Sequence, residues 1–157
     1  MNIPLRRWPR QRGAAAVEFA VLLPILVLVL TFFIFFARVF WHYTVAQKAA
    51  YDAARYLSSI SEQEMRDDVL APAAATIANE IVQAEIAELR PGRGARPSVV
   101  VQCGGAPCNG VWDAPLPRTV SVTVRMGMFD DIFNVVDVGR YGISITGKAE
   151  LHYVGNQ

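Results

Sequence analysis

Residues Phe19–Ala37 read FAVLLPILVLVLTFFIFFA, nineteen residues in a row without a charged side chain. A helix of about 20 apolar residues spans the hydrocarbon core of a bilayer. A buried helix of a soluble protein would carry a polar face, whereas the only hydroxyl in this run belongs to Thr31. The stretch therefore predicts a membrane-spanning helix, to which we assign residues 14–38.

The charges on either side of this stretch predict its orientation. Basic residues favour the cytoplasmic side of a membrane helix. The first twelve residues hold four arginines and no acid, whereas both signs are mixed after residue 37. We therefore expect a cytoplasmic basic leader (1–13) and an extracytoplasmic domain (39–157). The four arginines are Arg6, Arg7, Arg10 and Arg12.

A cleaved secretory signal is the alternative interpretation of a basic segment followed by an apolar one. Its apolar region is usually about 7–15 residues long and ends at a small-x-small site. The run here is longer and leads into Arg38-Val-Phe-Trp-His-Tyr, whose bulky side chains do not fit such a site. Thr44-Val-Ala46 is a weak later candidate, and we favour the retained helix.

Composition excludes two further classes of protein. The chain is 53% hydrophobic and 18% charged, with a mean hydropathy of +0.27. Disordered proteins and proteins that coat nucleic acid carry more charge and less apolar material. Beyond the leader, 11 basic residues face 14 acidic ones, which gives a net charge of −3. We expect no nucleic-acid partner.

The helix is predicted to continue beyond the membrane to about residue 57. One stripe of residues recurs at spacings of three and four, as on a single helix face. Lys48, Asp52 and Arg55 share another face and are expected to pair. The whole helix is then about 65 Å long, roughly twice the hydrocarbon thickness. The stripe consists of Phe36, Phe40, Tyr43, Gln47, Ala50, Ala54 and Leu57.

A second helix is predicted over residues 62–90. Ser61 and Glu64 form a capping-box pattern at its start, and Arg90-Pro91-Gly92 ends it. Pro72 is expected to kink the helix or to separate a short first turn from the rest. Arg90, Arg93 and Arg96 resemble an anion-binding patch, although a solvated linker is the favoured interpretation. The predicted apolar face consists of Met65, Val69, Ala73, Ile77, Ile81 and Ala84.

Three segments alternate apolar and polar residues, as half-buried strands do: residues 98–103, 118–128 and 142–153. A small antiparallel sheet packed on the projecting helix, with the second helix beside it, buries every apolar face. The predicted fold class is therefore α+β.

Two cysteines, Cys103 and Cys108, bracket the turn sequence Gly-Gly-Ala-Pro in the extracytoplasmic part. We favour a disulfide over free thiols or a metal site, since no second pair of cysteine or histidine ligands has zinc-site spacing.

No residue pattern indicates catalysis, a cofactor or a metal. His42 and His152 lie among aromatic or strand residues, where structural roles are expected. Asp130, Asp131 and Asp137 lack the central glycine and distal glutamate of a calcium loop, so a surface loop is favoured. Nucleophile-elbow, phosphate-loop and zinc-protease motifs are absent from the sequence.

Glu18 is the one charged residue within the apolar region Ala14–Ala37. An ionised carboxylate at mid-membrane costs up to about 2.5–3.5 kcal/mol, so it requires a partner or a route to the headgroups. Snorkelling towards the cytoplasmic headgroups is one interpretation, and pairing with a protein cation is the other.

The segment Arg12-Gly-Ala-Ala-Ala-Val-Glu-Phe-Ala-Val-Leu-Leu-Pro24, behind a basic leader, resembles the prepilin segment of TadE-like pseudopilins. These are minor components of the tight-adherence (Flp-type) pilus, a type IV pilus subclass. The resemblance covers about residues 10–57, including Arg38–Tyr43 and the alanine-rich segment Ala49–Tyr56. Residues beyond it agree only in outline, as a helix followed by strands, which implies a pilin-like fold.

The resemblance implies that a prepilin peptidase cuts between Gly13 and Ala14, and that Glu18, followed by Phe19, guides subunit docking. Implied partners are other pilin and pseudopilin subunits, the peptidase, the inner-membrane assembly platform and the lipid bilayer. The implied location is the bacterial inner membrane or the pilus outside the cell. The large outer domain favours a minor pilin that decorates, primes or caps the fibre. An uncut, membrane-anchored extracytoplasmic scaffold or binding protein is the alternative.

Overall fold

Helix α1 runs from Ala14 to Ser59 in a computed structural model that describes residues 13–89, 97–108, 115–130 and 142–155. The chain divides after Phe36 into two compact units. In the first unit the apolar side chains of α1 are exposed on all sides, with Phe35 the buried exception. Its most apolar 18-residue window has a mean hydropathy of 3.0. By length and composition, α1 can therefore cross a membrane, as predicted.

In the second unit, α1 presents a buried face made almost entirely of alanines. Six residues at helical spacing on this face have no solvent exposure, and five of them are alanine. Small side chains allow other backbone segments to approach the helix closely. The six residues are Ala46, Ala49, Ala50, Ala53, Ala54 and Leu57.

The predicted second helix is divided into two helices and a short 3₁₀ turn. Helix α2 spans Glu62–Arg66, helix α3 spans Leu70–Ile86, and the 3₁₀ turn spans Ala87–Leu89. The predicted capping box is present, because the Ser61 hydroxyl accepts from the Glu64 amide and the Glu64 carboxylate accepts from the Ser61 amide. The division precedes Pro72, which lies in the first turn of α3, where its missing N–H costs little.

The predicted apolar face of this region is wrong for α3. The structure buries a different stripe, while Ala73, Ile77 and Ala84 stay exposed and Ile81 is half-buried. Val69 is also exposed, and only Met65, in α2, is buried as predicted. The prediction extended one helical phase through residues 62–90, whereas the break at residues 67–69 starts a new helix. The buried stripe of α3 is Ala71, Ala74, Ala78, Val82 and Ile86.

Four antiparallel strands form one sheet in the order β2-β1-β3-β4. Strand β1 spans Ser98–Cys103, β2 spans Ala106–Pro107, β3 spans Thr119–Met128 and β4 spans Ile143–His152. The three predicted strands are thus present within one or two residues, and this α+β architecture confirms the predicted fold class. Strand β2 was not predicted. It forms because Gly104 and Gly105 adopt positive φ, so that Ala106 pairs with Cys103 across a two-residue turn.

The inward face of β3 is the centre of the sheet core. Val120, Val122 and Val124 are completely buried, while the outward Arg125 is exposed. In register, Val122 lies between Val101 of β1 and Ala149 of β4.

The residues after β4 return to the end of α1. The backbone N–H groups of Val154 and Gly155 both donate to the Ser58 carbonyl oxygen, at 3.2 and 3.3 Å. The Tyr153 hydroxyl donates to the Ile60 carbonyl oxygen at 3.0 Å, and burial raises the pKa of this tyrosine. The two bonds to Ser58 satisfy a carbonyl group that the end of α1 leaves free.

Several predicted features fall partly or wholly outside the described residues. The arginines at 90, 93 and 96 lie outside, as do Asp131 and Asp137. Asp130 is described and is buried, so its assignment to a surface loop is wrong. Asp130 lies two residues after the end of β3, whose last residue, Met128, is also buried.

Candidate subunit-docking site

Gly13 and Ala14 mark the start of α1. Ala14 is the first helical residue, and the Gly13 carbonyl oxygen accepts the first hydrogen bond of the helix from the Val17 amide at 3.2 Å. A Cβ atom built on Gly13 meets no atom of the described chain within 4 Å. The peptide bond between these residues therefore lies at the very start of the helix.

Glu18 lies one turn further along α1, on an exposed surface. It borders a shallow, apolar depression with Val17, Val21 and Leu22. Within the described part of the chain no salt bridge includes its carboxylate. The adjacent Phe19 is also exposed. This surface thus combines a single carboxylate with apolar side chains that a membrane or another helix would cover.

Four aromatic residues on α1 are exposed after residue 37, namely Phe40, Trp41, Tyr43 and Tyr51, and a histidine is buried. This histidine, His42, has its Nδ1 atom 2.7 Å from the Arg38 carbonyl oxygen. His42 therefore contacts the backbone of its own helix, while His152 is exposed on β4. The contact of His42 does not resemble a catalytic arrangement.

Lys48 connects α1 to α3. Its ammonium group lies 2.6 Å from the Glu85 carboxylate and 3.4 Å from that of Asp52. The hydrogen bond with Glu85 is the main cause of a raised pKa for Lys48. The predicted pair with Asp52 is present, whereas Arg55 makes no salt bridge with any described residue. Sequence reasoning missed Glu85, because no local spacing relates residues 37 positions apart.

Gly147 of β4 lies directly against the backbone of α1. A Cβ atom at this position would lie 2.5 Å from the Ala46 carbonyl oxygen. The neighbouring Lys148 amide donates to the Gln47 side chain at 2.9 Å, and the Gln47 amide group donates to the Tyr43 hydroxyl at 3.1 Å. The glycine within an otherwise alternating strand pattern was the available sign of a close backbone approach.

Cys103 and Cys108 are joined by a disulfide, with their Cα atoms 5.1 Å apart and both side chains buried. This is the pairing that the sequence favours. Among the described residues, no group of three or more His, Cys, Asp or Glu side chains is arranged to hold a metal ion.

The segment that contains Gly13, Glu18 and Phe19 matches a protein family. Residues 13–55 match the family of TadE-like proteins. The N-terminal segment of the chain is thus TadE-like. The match begins at Gly13, one residue before α1, and ends within the alanine-rich part of the same helix.

The family match supports involvement of this chain in a tight-adherence pilus system. Helices α2 and α3 and all four strands lie beyond the matched segment. No curated protein and no solved structure matches the chain.

Proposed function

We propose that this TadE-like protein is a minor pilin-like subunit that is made as a precursor, cut between Gly13 and Ala14, and then assembled with other pilus subunits. The main support is that the family match and helix α1 begin at adjacent residues, Gly13 and Ala14. In this proposal the leader (1–13) is removed by a prepilin peptidase at the cytoplasmic face of the inner membrane. The remaining helix stays in the bilayer until the assembly platform transfers it to the fibre.

In this proposal, the apolar half of α1 contacts lipid in the membrane and contacts other subunits in the fibre. Its side chains are exposed in the isolated chain, so they require a bilayer or other apolar helices around them. Association of such helices is driven by packing and by polar groups that find partners. Glu18 is the polar group in this case, and Phe19 belongs to the same contact.

The proposed partner of Glu18 is the α-amine that cutting creates on Ala14 of a neighbouring subunit. A free α-amine has an ordinary pKa of about 7.7–8.0 and is mostly protonated at neutral pH. The pairing would fix the axial register of two helices whose apolar stripes alone allow sliding. The second unit would then project from the fibre, where the subunit primes, caps or decorates it.

Mass spectrometry of the protein tests the processing step. Protein purified from membranes of cells with an active prepilin peptidase is expected to begin at Ala14. Gly13→Leu should leave the precursor intact, because the larger side chain obstructs the peptidase but meets nothing in the described fold. Gln11→Leu, which adds the same side chain two residues earlier, is the matched control and should be cut. An intact Met1–Gln157 chain in wild-type cells would instead identify an uncut membrane anchor.

A further inference from the structure

Helix α3 carries a second apolar stripe that the fold leaves mostly uncovered, with Ile81 half-buried. We define this outer stripe as Leu70, Ala73, Ile77, Ile81 and Ala84. Its residues recur at spacings of three and four, about 120° around the helix from the buried stripe. Leu70 and Ile77 are 47% and 43% exposed, and Val69, just before the helix, is 70% exposed. Single exposed apolar residues are ordinary, but a continuous stripe about 21 Å long marks an interaction surface.

All charged residues of helix α3 and of the 3₁₀ turn after it are acidic, and Arg66 is the nearest described basic residue before them in the sequence. Residues 67–89 contain five acids and no lysine or arginine: Asp67, Asp68, Glu80, Glu85 and Glu88. Glu80 lies three residues after Ile77 and four before Ala84, so the three are neighbours on the helix surface.

One shallow depression joins the acids to the stripe. It is lined by Ile81, Ala84, Glu85, Glu88 and Lys48. Lys48 is already bound to Glu85, at 2.6 Å. Neither Glu80 nor Glu88 forms a salt bridge with another residue in the described ranges.

We propose that the outer stripe binds a basic amphipathic helix of another pilus component on the same side of the membrane. Apolar side chains at helical spacing on that partner would pack between Leu70, Ile77 and Ile81. The small Ala73 and Ala84 let the partner helix approach closely, and its lysines or arginines would face Glu80 and Glu88.

The acidic border selects this occupant over two others. A second copy of the chain would place one acidic border against another, and like charges across an interface cost several kcal/mol. An anionic lipid surface would be repelled by the same carboxylates. A basic helix is attracted by them and covers the apolar stripe at the same time.

Site-specific photo-crosslinking in the full chain, in cells that assemble the pilus, tests the proposed partner. A photoreactive amino acid replaces Ile77 in one strain and Asn79 in a control strain. Asn79 is exposed but lies about 200° around α3 from Ile77, on the other side of the helix. We expect a cross-link from position 77 and not from position 79, mapped by mass spectrometry to a helical segment flanked by lysine or arginine.

Charge and shape variants complete the test. Glu80→Lys combined with Glu88→Lys, and separately Ile77→Asp, should each lower the yield of the complex by about tenfold, a loss of about 1.4 kcal/mol. Asn79→Asp is the matched control and should not change the yield. The lysine pair keeps every apolar residue of the outer stripe, so it remains informative even if Ile77→Asp destabilises the fold.

Four outcomes would overturn the proposal. The first is that position 77 gives no cross-link, and the second is that positions 77 and 79 give equal cross-links. The third is that position 77 cross-links to lipid, to a second copy of the chain or to a segment without basic residues. The fourth is that the lysine pair does not lower the yield of the complex. The mass of the mature chain, measured on the same preparations, keeps failure of this surface distinct from failure of the proposed processing.

Discussion

Gly147 sets how closely strand β4 approaches helix α1. The Ala46 carbonyl oxygen occupies the position that a side chain would need, since the distance to a built Cβ atom is 2.5 Å. The hydrogen bond from the Lys148 amide to the Gln47 side chain depends on the same approach. A side chain at residue 147 must therefore move β4 away from α1 or distort one of them.

We expect Gly147→Ala to lower the free energy of unfolding by about 1–3 kcal/mol, the usual cost of forcing extra atoms into a packed core. Ser144→Ala, at an exposed position of the same strand, is the control and should change it by less than about 0.5 kcal/mol. Chemical denaturation of the full chain in detergent micelles measures both. Equal stability of the Gly147→Ala protein and the wild type would show that β4 can move away without cost.

This contact shows how far residue-level prediction reaches. Alternation of Ile143, Ile145, Ala149 and Leu151 predicted strand β4 and its inward face, because period two follows from backbone geometry alone. The same pattern contains nothing about which residue of α1 lies opposite Gly147. That pairing joins positions about a hundred residues apart and is fixed only by packing.

At the scale of elements, Asp67 determines where α3 begins. Its carboxylate accepts from the amides of Val69 and Leu70 at 2.8 and 2.9 Å, and thereby satisfies two N–H groups at the helix start. The hydrogen bond from Leu70, followed by the one from Val69, favours the carboxylate form and lowers the pKa of Asp67 from its ordinary value of 3.8. The stabilising contribution of the carboxylate is therefore present above pH 3.8 and is lost as the pH falls through the lowered pKa.

The Leu70 amide resonance provides the measurement. Its chemical shift should titrate with a midpoint below 3.8 in an NMR pH titration of the full chain in micelles, and the titration should vanish in Asp67→Asn. Asp68→Asn is the neighbouring control and should leave it in place. A midpoint at or above 3.8 would mean that the two hydrogen bonds do not favour the charged form.

Helical periodicity alone cannot decide which face of α3 is buried. Both stripes recur at spacings of three and four, and the outer stripe contains the exposed Ile77 and the half-buried Ile81, so hydropathy favoured it. The structure buries the alanine-rich stripe, which packs closely because its side chains are small. The misassignment therefore marks the surface that we assign to a partner.

The disulfide closes the β1–β2 hairpin. Cross-linking so short a loop is expected to contribute about 2 kcal/mol by restricting the unfolded chain. The Cys103→Ser/Cys108→Ser protein should therefore melt at a moderately lower temperature than the wild type under oxidising conditions. With reductant present, the wild type should approach the variant. Alkylation of two free thiols in protein isolated from the extracytoplasmic side would contradict this assignment.

At the scale of the whole molecule, the TadE-like match ends within α1, at residue 55, and the rest of the chain follows it. Residues 13–55 hold the membrane half, Glu18 and most of the alanine face, whereas the helices and strands that cover that face lie beyond the match. The sequence therefore predicted the family from α1 and the strands from periodicity. Contacts between these parts, such as Lys48 with Glu85, came only from the structure.

We expect the Glu18 carboxylate to affect the assembly of the subunit into the pilus. In a bilayer the Glu18 carboxylate can reach headgroups, whereas among packed helices it must find a protein cation. We expect Glu18→Gln to leave insertion and cleavage intact and to lower incorporation into pili by about tenfold or more, because an unpaired amine would then be buried. Glu18→Ala should do the same although it makes the helix more apolar.

The ratio of this subunit in sheared pili to that in membranes, compared across variants, separates docking from snorkelling. Glu18→Asp keeps the charge on a shorter side chain and should restore part of the incorporation that Gln and Ala lose. Snorkelling requires only that a polar group leave the bilayer core, so it predicts no penalty for Ala, which removes that group altogether. If the Gln and Ala variants reach the pilus at wild-type levels, Glu18 does not determine register, and the apolar stripes of α1 must do so alone.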